Sequence, residues 1–291
     1  MEIEVSATLL DAYKCLPGLP SHPEQIAKVI DVLGKTSSAD YDLLHLIQYD
    51  PAIAARILAV ANLPVYGYER RVESLQQAAG LLSPSLVTSV ILTTPVFEMF
   101  RDADHTYHRK FDHLQLWAHG AVTGTLAALL ANKLGTMEED VCLTLGLLHD
   151  LGKMALIINH PREVLEALDR ARKDALPFPQ ALQDVAGCTP QEVAGQLAEE
   201  WHYPANLIEY IQSLENGKVA RETGPVVIVR LANRLAEDWG YGDGLHLPEN
   251  EPLDPLVAAL GISLSDLSQW KPDMQSRAEN RARRILSKTL S

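Results

Sequence analysis

Along most of this chain apolar residues recur at helical spacing, and no convincing run of alternating β-branched residues is bounded by turn signals. That pattern predicts an all-α protein. Ile26, Val29, Ile30 and Leu33 fall at i, i+3, i+4 and i+7, so they line one buried stripe of a helix that should stop near Gly34. A second apolar segment covers residues 41–49. Asp50 is placed to cap the next helix, with Pro51 at its first position, where a missing N–H costs nothing. Ser74 and the pair Ser83-Pro84 offer two more starts of this kind. The second of these opens the apolar helix SPSLVTSVILTTPVFEMF, which Pro95 should kink.

The polar stretch RDADHTYHRK lacks the Gly/Ser richness of a flexible linker and reads as a seam between two helical bundles. We divide the chain into an N-terminal helical sub-domain (residues 1–105), a second helical sub-domain (106–240), and a loop with a C-terminal helical tail (241–291). The second bundle should hold a helix around LQLWAHGAVTGTLAALLANKLG. The segment TMEEDVCLTLGLLHDLGK follows, with Thr136 and Glu139 as a capping box. Further helices should start near Pro161, at Thr189-Pro190 with Glu192 reaching back, and after Pro204 and Pro225. The Pro/Glu/Gly-rich YGDGLHLPENEPLDP is expected to loop out.

Composition narrows the function classes. With 25 basic and 38 acidic residues, the net charge of −13 opposes a phosphate backbone, so no dedicated nucleic-acid binding is expected. The last fifteen residues run the other way, with Arg277, Arg281, Arg283, Arg284 and Lys288 against Glu279. We read them as a solvated helix face, with an anionic partner as the alternative. No apolar run is seen to approach the roughly 20 residues of a membrane span, and the N-terminus carries acids rather than a basic leader, so a cytoplasmic protein is expected. Cys15, Cys142 and Cys188 show no CxxC spacing and are expected to be reduced, structural thiols.

The residues best suited to chemistry lie in LLHDLGK. His149 and Asp150 offer an imidazole and a carboxylate, both of which borderline divalent metals accept. Helical neighbours stand about 100° apart, so the two can converge on one ion only at a helix end or seam, and Gly152 would permit such a break. His119, flanked by Ala118, Gly120 and Ala121, is the third candidate ligand, since small neighbours allow another helix close. Against this stands the plainer reading of buried histidines that simply hydrogen-bond within the core. Lys153 either solvates or reaches a phosphate as a point charge. GxSxG, Walker-type and GxGxxG signatures are missing, which leaves acyl transfer, P-loop hydrolysis and dinucleotide binding unsupported.

Four segments in order, LPGLPSHPEQIAKVI, IQYDPAIAARILAVANLPVYGYERRVESLQQAAGLL, LWAHGAVTGTLAALLA and LGLLHDLGK, together resemble the HDOD family. These are bacterial signalling domains related in fold to the HD metal-dependent phosphohydrolases, and the resemblance covers residues 16–213. It implies an N-terminal helical bundle packed on an HD-like helical bundle, with a regulatory rather than catalytic task. Active HD relatives look like H…HD…D. His119 matches the first element, and His149 with Asp150 matches the pair. Later elements depart from the pattern: Pro190 stands where many relatives have a histidine, Gln212, Ser213 and Leu214 where a His-His pair is frequent, and Asn233 where the closing aspartate would be.

The resemblance therefore implies a remnant metal site of His119, His149 and Asp150, without a resident cofactor or with iron, manganese or zinc, and with Lys153 as the phosphate contact. The function it implies is a non-catalytic signal-transduction module acting through protein or small-ligand binding. The alternative is a residual metal-dependent phosphohydrolase acting on a nucleotide or cyclic dinucleotide. Expected partners are a signalling protein or a second copy of the chain, and no membrane.

Overall fold

The computed structural model describes residues 48, 50–62, 71–82, 87, 90–91, 110–136, 138–201, 203–214, 224–245 and 252–286. The helix expected from Ile26 to Leu33, most of the one after Ser83-Pro84 with its Pro95 kink, and the seam at RDADHTYHRK lie outside these residues. Among the described residues the regular structure is entirely helical, as the periodicity predicts.

Two helices represent the first bundle: α1 (Pro51–Ala61) and α2 (Leu75–Leu81). Both begin where the caps place them. Asp50 accepts the Ile53 amide at 3.0 Å with Pro51 following, and Ser74 Oγ accepts the Gln77 amide at 3.1 Å. The buried Asn62 side chain donates to the Leu58 and Val72 carbonyls and accepts from the Val72 amide, tying the end of α1 to the approach to α2.

The second bundle is built on α3 (His113–Leu134), α4 (Glu139–Leu148) and α5 (Leu151–Asn159). Then come α6 (Pro161–Asp174), α7 (Phe178–Ala186), α8 (Pro190–Glu200), α9 (Ala205–Ser213) and α10 (Gly224–Asp238). The chain closes with α11 (Leu253–Ala259) and α12 (Leu264–Leu286). Helices α4, α10 and α12 pack around α3, α5 packs on α8, and α1 and α2 lean on α4. Among the described residues, hydrogen bonds cross between the bundles at two places. The buried Tyr203 hydroxyl donates to the Ala55 carbonyl at 2.8 Å, and Thr144 Oγ1 accepts the Leu75 amide at 3.1 Å. Cys142 and Cys188 are buried free thiols, pushed up to about 12 and about 11 first by burial and then by nearby glutamates.

The capping box Thr189-x-x-Glu192 forms as expected, with both bonds in place. The one expected at Thr136 does not. Helix α4 starts only at Glu139, so Thr136 Oγ1 instead accepts the Glu138 amide at 3.3 Å, and Glu139 accepts from Asn132 of α3. The apolar run from Glu139 to Asn159 also corrects an expectation. It is 21 residues long, enough by length and composition alone for a membrane span. Here 83% of its apolar window is buried inside the protein, and its middle carries the charged residues of the site, so in this fold it is a core element.

Candidate metal centre

Helices α3 and α4 cross at two glycines. A Cβ on Gly146 would lie 2.7 Å from Gly124 Cα, so the backbones meet at a separation that no side chain allows. His119 lies five residues before this crossing on α3 and His149 three residues after it, just past the end of α4, which sets the two imidazoles opposite each other. The rings meet edge to face, with centroids 4.9 Å apart. Gly120, expected to admit a neighbouring helix, mainly makes room for Pro51 of α1.

The pair His149-Asp150 is itself the turn between α4 and α5, so the helix break required for convergence falls at the ligands and not at Gly152. Gly152 lies inside α5 and has another task. A Cβ there would stand 1.7 Å from the Pro190 carbonyl oxygen, so its hydrogen lets the N-terminus of α8 press onto the turn.

Each histidine is anchored through Nδ1. His119 Nδ1 donates to the Tyr241 carbonyl at 2.6 Å, and His149 Nδ1 donates to the Gly146 carbonyl at 2.7 Å. A carbonyl only accepts, so both Nδ1 atoms carry the proton and both neutral rings present an Nε2 lone pair. These two Nε2 atoms face each other at 3.1 Å. Asp150 Oδ2, buried and without a hydrogen bond, lies 3.3 Å from His149 Nε2 and 3.5 Å from His119 Nε2. Three lone-pair donors thus converge, an arrangement that suits a cation.

The donor set fits a divalent ion. Nitrogen and oxygen ligands about 2.1 Å from a tetrahedral centre stand about 3.4 Å apart, which matches this triangle. Carbonyl-anchored Nδ1 atoms are also what keeps a metal-binding imidazole in one tautomer. Electrostatics agree. Burial, then the neighbouring His149, holds His119 below the ordinary imidazole range. Burial opposes charge on His149 too, but the Asp150 carboxylate outweighs it and raises the group. Asp150 is held well below the carboxylate range in spite of its burial, by His149 and Lys153. A cation between these groups would therefore be stabilised by the Asp150 carboxylate.

The outer side of Asp150 is filled differently. Lys153 Nζ lies 3.1 Å from Asp150 Oδ1 and 3.0 Å from Asp243 Oδ2, so the lysine read as a phosphate contact sits between two carboxylates. His119, His149, Asp150 and Lys153 are 1%, 8%, 4% and 8% exposed, which makes the centre an enclosed one. Asp243 and the Tyr241 carbonyl belong to the segment expected to loop out. Instead residues 241–245 fold back on the centre, with Arg172 donating to the Leu245 carbonyl at 3.0 Å. Their only local signal was an aspartate between two glycines.

The later positions fall in three places. Pro190 meets the HD turn through its backbone, and Gln212 of α9 lies over Gly195 of α8, where an added Cβ would be 2.5 Å from its Nε2. Asn233 is on α10, which packs against α3 and α4.

Comparison with known proteins agrees with this architecture. The HDOD domain family model matches residues 19–216. Curated proteins give no match. Among solved structures, the MmoQ response regulator from Methylococcus capsulatus str. Bath superposes with a TM-score of 0.69 at 23% identity, over 88% of this chain and 98% of that one. A virulence factor from Campylobacter jejuni gives 0.60 at 19%, over 89% and 99%. An HDOD domain protein from Geobacter sulfurreducens gives 0.53 at 20%, over 96% and 99%. At these identities the likeness speaks for the fold, and with the family model matching well over half of the sequence, this chain belongs to the HDOD family.

Proposed function

We propose that this chain is a signal-transduction module in which the HD centre holds one divalent ion as an internal pin between α3, α4 and α5. In this reading it acts through a protein partner and turns over no substrate. The observation that supports it is the two-sided use of Asp150. On the inner side three donors converge within 3.5 Å, and on the outer side Lys153 and Asp243 close the centre.

A hydrolytic site needs the first arrangement without the second. It must keep a coordination position open for water and must orient a substrate beside it. Here Lys153 is taken up by two carboxylates, and Pro190 and Asn233 stand where relatives of the active kind carry a histidine and an aspartate. When bound, an ion would supply charge neutralisation for the converging lone pairs. Two imidazoles and a carboxylate suit zinc, manganese or iron. The likeness to a protein described as a response regulator adds support for signalling.

Metal analysis of the full chain purified without chelator, paired with incubation on nucleotides and cyclic dinucleotides, tests the reading. One ion per chain, lost in His149→Ala, with no phosphate released, is the expected result. Phosphate release by the wild type that disappears in His149→Ala would replace it with the phosphohydrolase alternative. A chain that takes up no ion would remove the pin.

A further inference from the structure

Asp150 serves two cations with one carboxylate. Its Oδ1 meets the Lys153 ammonium at 3.1 Å while its Oδ2 faces the two histidines. A divalent ion at the histidines would therefore share a single negative charge with a buried ammonium a few ångströms away. Unscreened charges of like sign at such range repel strongly in an interior of low dielectric. Some further anion has to offset them for the centre to hold an ion at all.

Asp243 is placed to do so. Its Oδ2 accepts from Lys153 Nζ at 3.0 Å, and its Oδ1 accepts the Leu245 amide at 2.9 Å, which fixes the carboxylate in its turn. It is ninety residues from Lys153 in sequence and ten beyond Asn233, the position from which the HD pattern would draw its closing acid. We propose that Asp243 is the second acid of this centre, a charge-compensating residue that neutralises Lys153 and so lets His119, His149 and Asp150 accept a divalent cation. The inference rests on the single-ion reading above. It assigns Asp243 no direct bond to the ion, and it makes Lys153 a built-in counter-ion instead of a phosphate contact.

Charge and position are separable here. Asp243→Asn keeps the size of the side chain and the oxygen that accepts from Leu245, but removes one negative charge from beside Lys153. Lys153→Met removes the competing ammonium and keeps the apolar stem. Isothermal titration of the full chain with Mn²⁺, each variant first checked for helical circular dichroism, reads the outcome. Asp243→Asn should bind about tenfold to 100-fold more weakly than wild type, the range for losing a supporting residue around a metal site. The double variant Lys153→Met/Asp243→Asn, which has the wild-type net charge at the centre, should return to wild-type affinity. Lys153→Met alone should bind more tightly than wild type, and it keeps the proposal testable if Asp243→Asn does not fold.

Wild-type affinity in Asp243→Asn would overturn the proposal. So would a double variant as weak as Asp243→Asn, since that result means Asp243 acts by holding residues 241–245 in place. Lys153→Met binding no more tightly than wild type would overturn it as well. A wild-type chain that binds no Mn²⁺ would instead bring down the single-ion reading, and this inference with it.

Discussion

Lys153 and Arg277 each meet an aspartate at 3.0 Å, one at the centre of the molecule and one on its C-terminal helix. By distance the pairs are equal. Their surroundings are not: the Lys153 side chain is 9% exposed and that of Arg277 60%. Water solvates the guanidinium whether or not Asp273 is near, so the pair on α12 gains little over its parts. At the centre no such alternative exists. Each buried charge depends on the others, and the chain has to bring them from α5, the HD turn and residues 241–245 at once. The same contact is thus an ornament of a helix surface in one place and a condition for burying a polar cluster in the other.

The sharpest way to break that comparison is to remove the cation from each pair. In metal-free protein, Lys153→Met leaves the buried Asp150 and the partly buried Asp243 without their ammonium, and breaking a buried pair in this manner costs about 3–5 kcal/mol. We expect a fall of that size in urea denaturation, recovered in part by added Mn²⁺. A loss too small to measure would mean that water reaches the centre and that it is not the closed site its burial describes.

A second variant tests the frame around the centre and not its charge. Gly152→Ala places a methyl where the Pro190 carbonyl oxygen now lies, 1.7 Å from the new Cβ. Alanine favours a helix over glycine by about 1 kcal/mol, but forcing α8 off α5 should cost about 3 kcal/mol, so a net loss of about 2 kcal/mol is expected. The same urea titration checks it. Unchanged stability would show that α8 can slide without disturbing the HD turn.

These two pairs also show what a sequence can and cannot disclose. Asp273 and Arg277 are four residues apart on a helix, and such spacing is legible on the page. So were the caps at Asp50, Ser74 and Thr189, the helical class of the fold, and the convergence of His119 with His149 and Asp150, because each rests on local pattern or on a motif of fixed order. Asp243 was not legible. Its partner is ninety residues away, and its neighbours Gly242 and Gly244 announce a turn without saying what the turn packs against. Gly152 was misread for a related reason. A glycine after a His-Asp pair signals either a break or a close approach, and only the position of α8 decides between them. At Thr136 a sound local pattern lost to the start of α4, whose first turn is set by packing on α3.

The smallest effect belongs to Arg277→Ala. Its guanidinium holds Asp273 within one exposed helix, and Asp273 keeps a second contact to Lys133 of α3 at 3.5 Å when the arginine is gone. What joins α12 to α3 is the buried stripe of Met274, Ala278 and Ala282, spaced for one helical face and untouched by this change. The urea midpoint of Arg277→Ala should therefore coincide with that of wild type at low and at high salt. A Met274→Ala variant should lower it, since a buried side chain leaves a cavity when truncated and costs about 2–5 kcal/mol. If Arg277→Ala destabilised the chain as much as Lys153→Met does, the exposed pair would be supporting the fold, and the ranking of the two pairs by burial would have to be abandoned in favour of one by distance.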